Sequence, residues 1–531
     1  MEKRTAGVFC LLLILCAVLI GRMVTLCTKE DYIAAAERHS TYQLTLASTR
    51  GKIYDRNGVP LAGGASSLKA LIIPSAETSA ALMKKLPAEK CREIESELKG
   101  VLPFTTDVSD GSCEGKGVTV YRVPQRYGDH SLAIHLVGSC GKNGGESGIE
   151  AAYDNWLSEA KGELAVICRV SASGRSLDGA DRKIVDTTAN SNCGVMLTID
   201  SHIQNIAETA AANHIECGAV VILDVETGEI LAMASLPGYN RNKIAAYLND
   251  SRAPLVNRAV AEYNAGSVFK PVVAAAALES GMDPQELYHC EGSVEIGNIR
   301  MGCIRHAPHG DVDLKQAISR SCNTYFIQLA QQLGSEKILS MAQSLGFGKA
   351  TTLGTHYCSA KGNLPDSALL QRPAELANLS FGQGKLTVTS VQIAGMIAAI
   401  ARKGEYIEPY VVKGLTDREK KLISQPFLPE THRAMSETTA AILGECMRTA
   451  VLEGTAKAGA SEKVTSAAKT GTAETGIIRN GKKVNQAWYA GYFPYEDPKY
   501  VCVVLAEDGV SGGGSAGPVF KEIADRLSIS A

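Results

Sequence analysis

The hydrophobic pattern begins with one long apolar run close to the N-terminus. It extends from Ala6 to Cys27, broken only by Arg22 and Thr25, and is long enough to cross a bilayer. Lys3 and Arg4 precede it, and positive charges there favour a cytoplasmic N-terminus. A cleaved signal peptide is the alternative, but no convincing small-residue cleavage site follows the run. We therefore expect a cytoplasmic tail over residues 1–5 and a transmembrane anchor over residues 6–27.

Shorter apolar runs predict strands at both ends of the region that follows residue 193. Residues 218–225 and 229–234 flank a Glu-Thr-Gly turn and have the pattern of a hairpin. Residues 488–493 and 500–506 predict two more strands before a closing helix. The chain between these strands has a mostly helical pattern. We expect an α+β fold, in which an antiparallel sheet completed by both ends of the region is flanked by helices and carries a helical subdomain.

The pattern between the apolar run and residue 193 predicts a separate first domain. Residues 41–47 alternate like a strand, and residues 55–58 have turn chemistry between two extended segments. Residues 145–150 open a helix, and the stretch lacks the Lys-Ser/Thr ending of a phosphate-binding P-loop. We place the domain boundaries at residues 28–193 and 194–531.

Length, charge and cysteine usage narrow the class of protein. A chain of 531 residues is expected to hold two to four domains. Its net charge of -2 provides no broad basic surface, so nucleic acid is excluded as an expected partner. The 15 cysteines are odd in number and scattered, unlike the dense framework of a small disulfide-stabilised protein.

Ser267 and Lys270 are the first candidates for catalysis. They lie at a small-residue turn, and strong helix formers follow Pro271. Residues three apart share a helix face, which brings the Lys270 ammonium beside the Ser267 hydroxyl. Shielding a lysine from water lowers its pKa, so Lys270 could act as the base that activates Ser267. The spacing alone is not specific, because it recurs at Ser66/Lys69, Ser158/Lys161 and Ser466/Lys469.

A second motif, Ser321-Cys322-Asn323, lies in the helical middle of the second domain. Acyl transfer from a peptide needs a nucleophile, a base and a path for a proton to the leaving amine. Ser321 could relay a proton between Lys270 and that nitrogen. Asn323 offers an amide that could hold the substrate backbone. The motif by itself is also typical of a helix terminus.

A third motif, Lys469-Thr470-Gly471-Thr472, lies just before the C-terminal strands. Lys469 could supply positive charge, and the hydroxyls of Thr470 and Thr472 could bind a terminal carboxylate. Gly471 would let a substrate approach the strand edge and pair with it as an added strand. By itself, the motif is also typical of a strand that ends in a turn.

The three motifs in this order are those of penicillin-binding proteins and class A β-lactamases. The chain resembles the class B penicillin-binding proteins, the monofunctional transpeptidases of bacterial cell-wall synthesis. The resemblance covers nearly the whole chain, although Ala265 stands where the family usually has proline. Further stretches that fit the family are residues 50–58, 145–150, 257–259, 380–384 and 488–489.

This resemblance implies a penicillin-binding transpeptidase fold with an elongated N-terminal pedestal domain. It implies that Ser267 attacks the D-Ala-D-Ala bond of a stem peptide on lipid II-derived glycan strands, with an amine of a neighbouring stem as acceptor. The oxyanion hole would be the backbone N–H groups of Ser267 and Thr472, and β-lactams would acylate Ser267. No cofactor is implied. The catalytic domain would lie outside the cell membrane, beside a membrane-embedded glycosyltransferase partner.

Three alternatives remain open at the level of sequence. One is a β-lactam hydrolase or D,D-carboxypeptidase, although no clear residue activates water for deacylation. Another is a non-catalytic scaffold of a cell-wall polymerase complex. The third concerns Cys290, Cys303, His306 and His309, which could bind zinc, although the gap between the cysteines is longer than usual. We expect no metal, and a Cys290–Cys303 disulfide is left open.

Overall fold

The computed structural model describes residues 2–32, 40–129, 131–141, 143–177, 182–424, 428–479 and 482–529. Its contacts separate into two compact units. The first unit contains Met1–Arg50, Gly63–Gly128 and Lys161–Ser191, and the second contains Gly51–Ala62, Asp129–Ala160 and Asn192–Ala531. The boundaries predicted at 28–193 and 194–531 stay a prediction about domains. The two units alternate along the sequence, because the segments Gly51–Ala62 and Asp129–Ala160, which precede residue 193, belong to the second unit.

The apolar run at the N-terminus forms one helix, Glu2–Thr28. Its stretch Lys3–Thr28 has 26 residues and contains an 18-residue window with a mean hydropathy of 2.6. At about 1.5 Å per residue this helix is roughly 39 Å long, which exceeds the ~30 Å hydrocarbon core of a bilayer. It is therefore long and apolar enough to serve as a membrane anchor.

The rest of the first unit is built on two three-stranded antiparallel sheets. In order across each sheet, the strands are Thr41–Thr49, Gly162–Arg169 and Lys183–Asp186, and Phe104–Val108, Ala65–Ile72 and Val118–Gln125. Alternate residues of the central strand Ala65–Ile72 serve two cores. Ala70 and Ile72 pack with Leu82 and Leu98, whereas Leu71 packs with Val166. The first of these cores is covered by the helices Ala76–Lys85, Ala88–Glu93 and Glu95–Leu98.

The second unit contains a five-stranded sheet that includes the predicted turn at residues 55–58. Its strand order is Leu422–Ser424, Val412–Thr416, Gly194–Leu197, Lys52–Tyr54 and Pro60–Ala62. In the turn, Asp55 Oδ1 accepts hydrogen bonds from the backbone N–H groups of Asn57 and Val59. Gly58 has a φ of 78°, a conformation that glycine adopts without strain. The predicted turn between two extended segments is present.

The central sheet of the second unit has five antiparallel strands. They are β1 (Gly218–Asp224), β2 (Ile230–Leu236), β3 (Ala467–Arg479), β4 (Lys482–Phe493) and β5 (Tyr500–Glu507). Their order is β2-β1-β5-β4-β3, so strands from both ends of the region complete one sheet. An antiparallel sheet completed by both ends was predicted, without the order of its strands. It leaves β3, which carries the third motif, at the edge of the sheet.

Helices cover both faces of this sheet. Val220 and Ile222 of β1 share a core with the helices α1 (Ser201–His214) and α4 (Gly517–Leu527). Val221, one step along the strand, points to the opposite face. There the helix Ser390–Ala401, which is buried from residue 390 to residue 400, contacts β1 and β5.

The remaining helices include the two that carry catalytic candidates, α2 (Lys270–Glu279) and α3 (Asn323–Leu333). The other α-helices of the second unit are Ile134–Val137, Gly148–Ala152, Asp154–Glu159, Leu314–Ser319, Ser335–Ser344, Pro373–Ser380, Ser390–Ala401 and Glu437–Leu452. The second unit also contains short two-stranded sheets: Tyr263–Asn264 with Thr387–Val388, Tyr288–Cys290 with Gly310–Val312, Ser293–Ile296 with Ile299–Gly302, Thr352–Gly354 with Tyr357–Cys358, Glu405–Ile407 with Thr431–Arg433, and Cys140–Gly141 with Gly144–Gly145.

Candidate active site

Ser267 lies in a short 3-10 turn, Gly266–Phe269, that leads directly into α2. The backbone N–H of Lys270 donates to the carbonyl oxygen of Ser267 and joins the two elements. Pro271 lies at the start of α2, where the missing N–H costs no helical hydrogen bond. The sequence predicted one helical turn between Ser267 and Lys270. The structure forms that turn with tighter 3-10 geometry.

Lys270 is fully buried, and its ammonium is held by the second motif. Its Nζ donates to Asn323 Oδ1 at 2.7 Å, to the carbonyl oxygen of Ser321 at 2.8 Å and to Ser321 Oγ at 3.2 Å. Burial lowers the pKa of Lys270 from its usual value to about 7, because removal from water disfavours the charged form. A substantial fraction of Lys270 is therefore neutral near physiological pH.

Lys469 reaches the same hydroxyl from the edge strand β3. Its Nζ donates to Ser321 Oγ at 2.9 Å and to the carbonyl oxygen of Thr470 at 2.8 Å. Burial, and then repulsion from Lys270, lower the pKa of Lys469 well below its ordinary value. Ser321 Oγ thus lies between two buried amines that come from distant parts of the sequence.

Two glycines allow the nucleophile turn to approach β3 closely. A Cβ at Gly266 would lie 3.0 Å from the carbonyl oxygen of Thr472, and a Cβ at Gly471 would lie 3.2 Å from the backbone nitrogen of Val268. Gly266 also has a φ of 56°. Side chains at these positions would push the turn away from the strand. The backbone around Ser267 is therefore held against Gly471 and Thr472.

The stretch at residues 380–384 supports the nucleophile turn from another side. The backbone N–H of Gly266 donates to the carbonyl oxygen of Gly382 at 2.8 Å. A Cβ at Gly382 would lie 1.9 Å from the carbonyl oxygen of Gly266. The indole of Trp488 on β4 donates to the carbonyl oxygen of Asn264 at 2.9 Å. Sequence reasoning noted both stretches only as family features and gave them no role in the site.

The hydroxyls of the third motif have protein partners. Thr470 is buried, and its Oγ1 donates to Thr455 Oγ1 at 2.8 Å. Thr472 Oγ1 accepts from the backbone N–H of Gly512 at 3.2 Å. Sequence reasoning missed Thr455 and Gly512, which belong to no motif. The roles predicted for Thr470 and Thr472 in binding a carboxylate stay predictions.

The second motif begins α3 and is under backbone strain. Ser321 has a φ of 57°, a left-handed conformation that costs a non-glycine residue of order 1–3 kcal/mol. Cys322 is the N-cap residue of α3, which agrees with the helix-terminus interpretation of the motif. Asn323 Nδ2 donates to the carbonyl oxygen of Gly302 at 2.8 Å. One Asn323 amide thus connects Lys270 to Gly302, the last residue of the strand Ile299–Gly302. The predicted contact of Asn323 with substrate stays a prediction.

A group of possible metal ligands lies beside this motif. The ligand atoms of Cys290, Cys303, His309 and Cys322 all lie within 4.8 Å of one another. The cysteines are free thiols in the structure. The set considered from sequence differs at one position, because the fold brings Cys322 into the group in place of His306. Separation along the chain was a poor guide here, since His306 is closer in sequence to Cys303 and His309 than Cys322 is.

Residues 218–525 match the family model described as the penicillin binding protein transpeptidase domain. This match covers more than half of the chain. The chain belongs to this family. The family, the fold and the transpeptidase class predicted from the sequence are thereby confirmed for this penicillin-binding protein.

Two curated relatives and two solved structures define what this penicillin-binding protein is similar to. The peptidoglycan D,D-transpeptidase PbpA of Mycolicibacterium smegmatis is 33% identical over 351 residues, with 61% of this chain and 70% of that protein covered. The peptidoglycan D,D-transpeptidase MrdA of Salmonella typhimurium is 26% identical, with 99% and 96% covered.

Both solved structures extend over most of the chain. A peptidoglycan synthase complex that coordinates polymerization and crosslinking contains a chain with a TM-score of 0.69 and 25% identity, with 97% of each chain covered. Penicillin-binding protein A of M. tuberculosis, solved as a ceftriaxone acyl-enzyme complex, has a TM-score of 0.64 and 25% identity, with 90% of this chain and 97% of that chain covered. The likeness therefore includes the chain outside the matched domain.

Proposed function

We propose that this protein is a serine-type peptidoglycan D,D-transpeptidase with Ser267 as its nucleophile. The observation that carries the proposal is the pair of buried lysines on one hydroxyl. Lys270 and Lys469 both donate to Ser321 Oγ, at 3.2 Å and 2.9 Å. Lys270 begins the helix that follows the Ser267 turn. Such an arrangement provides a base and a proton path beside the turn that carries the proposed nucleophile.

In the first half-reaction, Ser267 Oγ attacks the carbonyl carbon of the penultimate D-alanine. Neutral Lys270 takes the hydroxyl proton, and the backbone N–H groups of Ser267 and Thr472 stabilise the negative oxygen. The D-Ala-D-Ala peptide bond then breaks, and the leaving nitrogen receives a proton by way of Ser321. Free D-alanine departs, and the stem peptide remains as an ester on Ser267.

In the second half-reaction, an amine of a neighbouring stem peptide attacks this ester. The new amide crosslinks two glycan strands derived from lipid II, and Ser267 recovers its proton. Because the acceptor is an amine rather than water, the product is a transpeptide. The β-lactam hydrolase, carboxypeptidase and scaffold alternatives are not favoured, since the relatives are named D,D-transpeptidases.

Substrate binding is assigned to Asn323 and to the edge strand β3. Gly471 lets the stem peptide approach β3 and pair with its backbone as an added strand. Thr470 and Thr472 bind the terminal carboxylate. The negative charge of this carboxylate raises the pKa of the neighbouring Lys469. Lys469 therefore takes up the predicted positive charge when the substrate binds.

The membrane helix and the comparisons support the remaining assignments. The helix Glu2–Thr28 anchors the protein in the cell membrane by a single pass. Lys3 and Arg4 keep its N-terminus cytoplasmic, so the catalytic domain and the pedestal domain both lie outside the membrane. The similarity to a chain of a peptidoglycan synthase complex supports a membrane-embedded glycosyltransferase as partner. The similarity to an acyl-enzyme structure supports covalent inhibition by β-lactams.

Mass spectrometry of the full chain with penicillin tests the nucleophile. We expect one stable penicilloyl adduct, which peptide mapping places on Ser267. With a stem pentapeptide and a suitable amine acceptor, we expect release of D-alanine together with a crosslinked product. Rapid turnover of nitrocefin without a stable adduct would favour a hydrolase. No adduct in a folded protein would favour a scaffold.

A further inference from the structure

We propose that Cys290, Cys303, His309 and Cys322 bind one structural zinc ion. The four residues come from separate pieces of chain. Cys290 ends the strand Tyr288–Cys290, Cys303 follows the strand Ile299–Gly302, His309 precedes the strand Gly310–Val312, and Cys322 caps α3. Their ligand atoms nevertheless lie within 4.8 Å of one another.

The distances between the ligand atoms match a tetrahedral zinc site. With Zn–S bonds of about 2.3 Å, two thiolates of a tetrahedron lie about 3.8 Å apart, and with Zn–N bonds of about 2.0 Å a sulfur and a nitrogen lie about 3.5 Å apart. Cys303 Sγ lies 3.8 Å from both Cys290 Sγ and Cys322 Sγ. Cys290 Sγ lies 3.4 Å from His309 Nδ1.

The chemistry and burial of the ligands select zinc and a structural role. Three thiolates are soft ligands and imidazole also suits zinc, so this set favours zinc over magnesium or calcium. Cys290, Cys303 and Cys322 are 1%, 5% and 0% exposed, and His309 is partly buried. Four protein ligands complete the coordination, as in structural zinc sites. On binding, the three thiols release their protons to water, so the site carries a net charge of about -1.

Groups around the cluster are placed to support thiolates. Thr324 Oγ1 lies 3.3 Å from Cys322 Sγ and 3.9 Å from Cys303 Sγ, within reach to donate a hydrogen bond. The backbone N–H of His309 donates to the carbonyl oxygen of Cys290 at 3.2 Å and fixes two ligands relative to each other. Such outer hydrogen bonds orient metal ligands and tune their affinity.

A disulfide explains this arrangement less well. The Sγ atoms of Cys290 and Cys303 are 3.8 Å apart, far from the ~2.03 Å of a disulfide bond. Cys303 Sγ is equally distant from Cys290 Sγ and Cys322 Sγ, and one disulfide can use only one of these partners. A single metal ion satisfies all three thiols at once.

The zinc ion also fixes the position of the second motif. The consequence for acylation depends on the proposed function being right. Cys322 lies between Ser321, whose φ is 57°, and Asn323. Asn323 Nδ2 donates to the carbonyl oxygen of Gly302, the residue before the ligand Cys303. Coordination of Cys303 and Cys322 to one ion therefore fixes the neighbours of both Gly302 and Asn323, which form this hydrogen bond. The ion acts as a positioning element for Ser321 and Asn323 and takes no part in the chemistry.

Metal content of the full chain in detergent tests the site without reference to activity. After purification under reducing conditions without chelator, elemental analysis is expected to find about one zinc per chain. Cobalt(II) in place of zinc is expected to give the thiolate-to-metal absorption of a tetrahedral site. The Cys290→Ser variant should lose bound metal. The Cys446→Ser variant, which changes another buried thiol outside the cluster, should keep it.

Fluorescent-penicillin acylation, measured on the same samples, separates this inference from the proposed function. We expect Cys290→Ser to acylate about tenfold more slowly, the lower end of the loss that follows disruption of metal-site support. Ser267→Ala should keep its zinc and lose labelling. If the Ser267→Ala variant is still labelled by the penicillin, the proposed nucleophile is refuted, whereas the conclusion about zinc binding is unaffected.

Wild-type protein that binds neither zinc nor cobalt at micromolar metal would overturn the site, whether or not the variants fold. A mapped disulfide among Cys290, Cys303 and Cys322 in unreduced protein would do the same. Loss of zinc with unchanged acylation would overturn the positioning role.

Discussion

The same Ser-x-x-Lys spacing occurs in both units, in two different settings. In the first unit, Ser66 and Lys69 lie on the strand Ala65–Ile72, where residues three apart point to opposite faces. Lys69 Nζ donates to the carbonyl oxygen of Leu46 and lies 3.8 Å from Asp107 Oδ1. Its side chain is 24% exposed.

In the second unit, Ser267 lies in a 3-10 turn and Lys270 begins a helix. Lys270 is fully buried, with Ser321 and Asn323 as its polar partners and no carboxylate bonded to its Nζ in the described part of the chain. The comparison teaches that spacing does not make a serine nucleophilic. Secondary structure and loss of water around the lysine do.

The largest expected effect separates the two serines. Ser267→Ala should abolish covalent labelling by a fluorescent penicillin, because the atom that forms the ester is removed. Ser66→Ala should label like the wild type. Circular dichroism would show that both variants fold. Labelling of Ser267→Ala at the wild-type level would place the nucleophile elsewhere.

The next effect separates the two lysines. Lys270→Ala should slow penicillin acylation by about 10²- to 10⁴-fold, the usual contribution of a general base. Lys69→Ala should acylate at the wild-type rate. Stopped-flow measurement of acylation gives both rates. A near-normal rate for Lys270→Ala would remove this lysine from the mechanism.

The pH dependence of acylation sharpens the role of burial. Lys270 accepts a proton only when neutral, and its pKa is lowered to about 7. The acylation rate should therefore rise with pH through about 7 and fall about tenfold per unit below it. A profile that rises only near pH 10, the range of an exposed lysine, would contradict the assigned environment.

A smaller effect is expected from the glycine that supports the nucleophile turn. In Gly382→Ala, the new Cβ meets the carbonyl oxygen of Gly266 at 1.9 Å, and φ is 77°. The matched control is Gly281→Ala, where φ is 87° and no atom lies within 4 Å. Both should lose about 1–3 kcal/mol of stability through backbone strain, and Gly382→Ala should lose more because its Cβ also collides with a backbone atom. Slower acylation is expected only for Gly382→Ala, and equal rates would refute its support of Ser267.

The smallest effect is the stability change in the first unit. Lys69→Ala removes one hydrogen bond and a partly exposed ion pair with Asp107, worth roughly 0.2–1 kcal/mol. Chemical denaturation would measure it. A loss of several kcal/mol would show that Lys69 is a core residue rather than a surface partner.

The sequence predicted the elements around the site well, because they depend on local pattern. The strands at residues 218–225 and 500–506 correspond to Gly218–Asp224 and Tyr500–Glu507. The helix predicted after Pro271 is Lys270–Glu279. Apolar runs and turn residues act over a few positions, so a single sequence contains the signal.

The support of the site was not predictable in this way. Nothing local to Gly382 indicates that its carbonyl oxygen accepts from Gly266, and nothing near Thr455 indicates its bond to Thr470. Three of the four clustered residues, Cys290, Cys303 and His309, were named from the sequence as possible zinc ligands, although no metal was expected. Nearness along the chain suggested His306, whereas the fold brings in Cys322 from the catalytic motif.

The sequence by itself determined the long apolar N-terminal helix, the order of the three motifs and the strands that complete one sheet. The tertiary structure alone decided that Lys270 is fully buried and that Ser321 lies between two amines. It also decided that Cys322 lies in the same cluster of possible metal ligands as Cys290. The physical reason is that secondary structure follows from neighbouring residues. A pKa or a coordination geometry depends on the atoms that surround a group in space, and these come from distant parts of the chain.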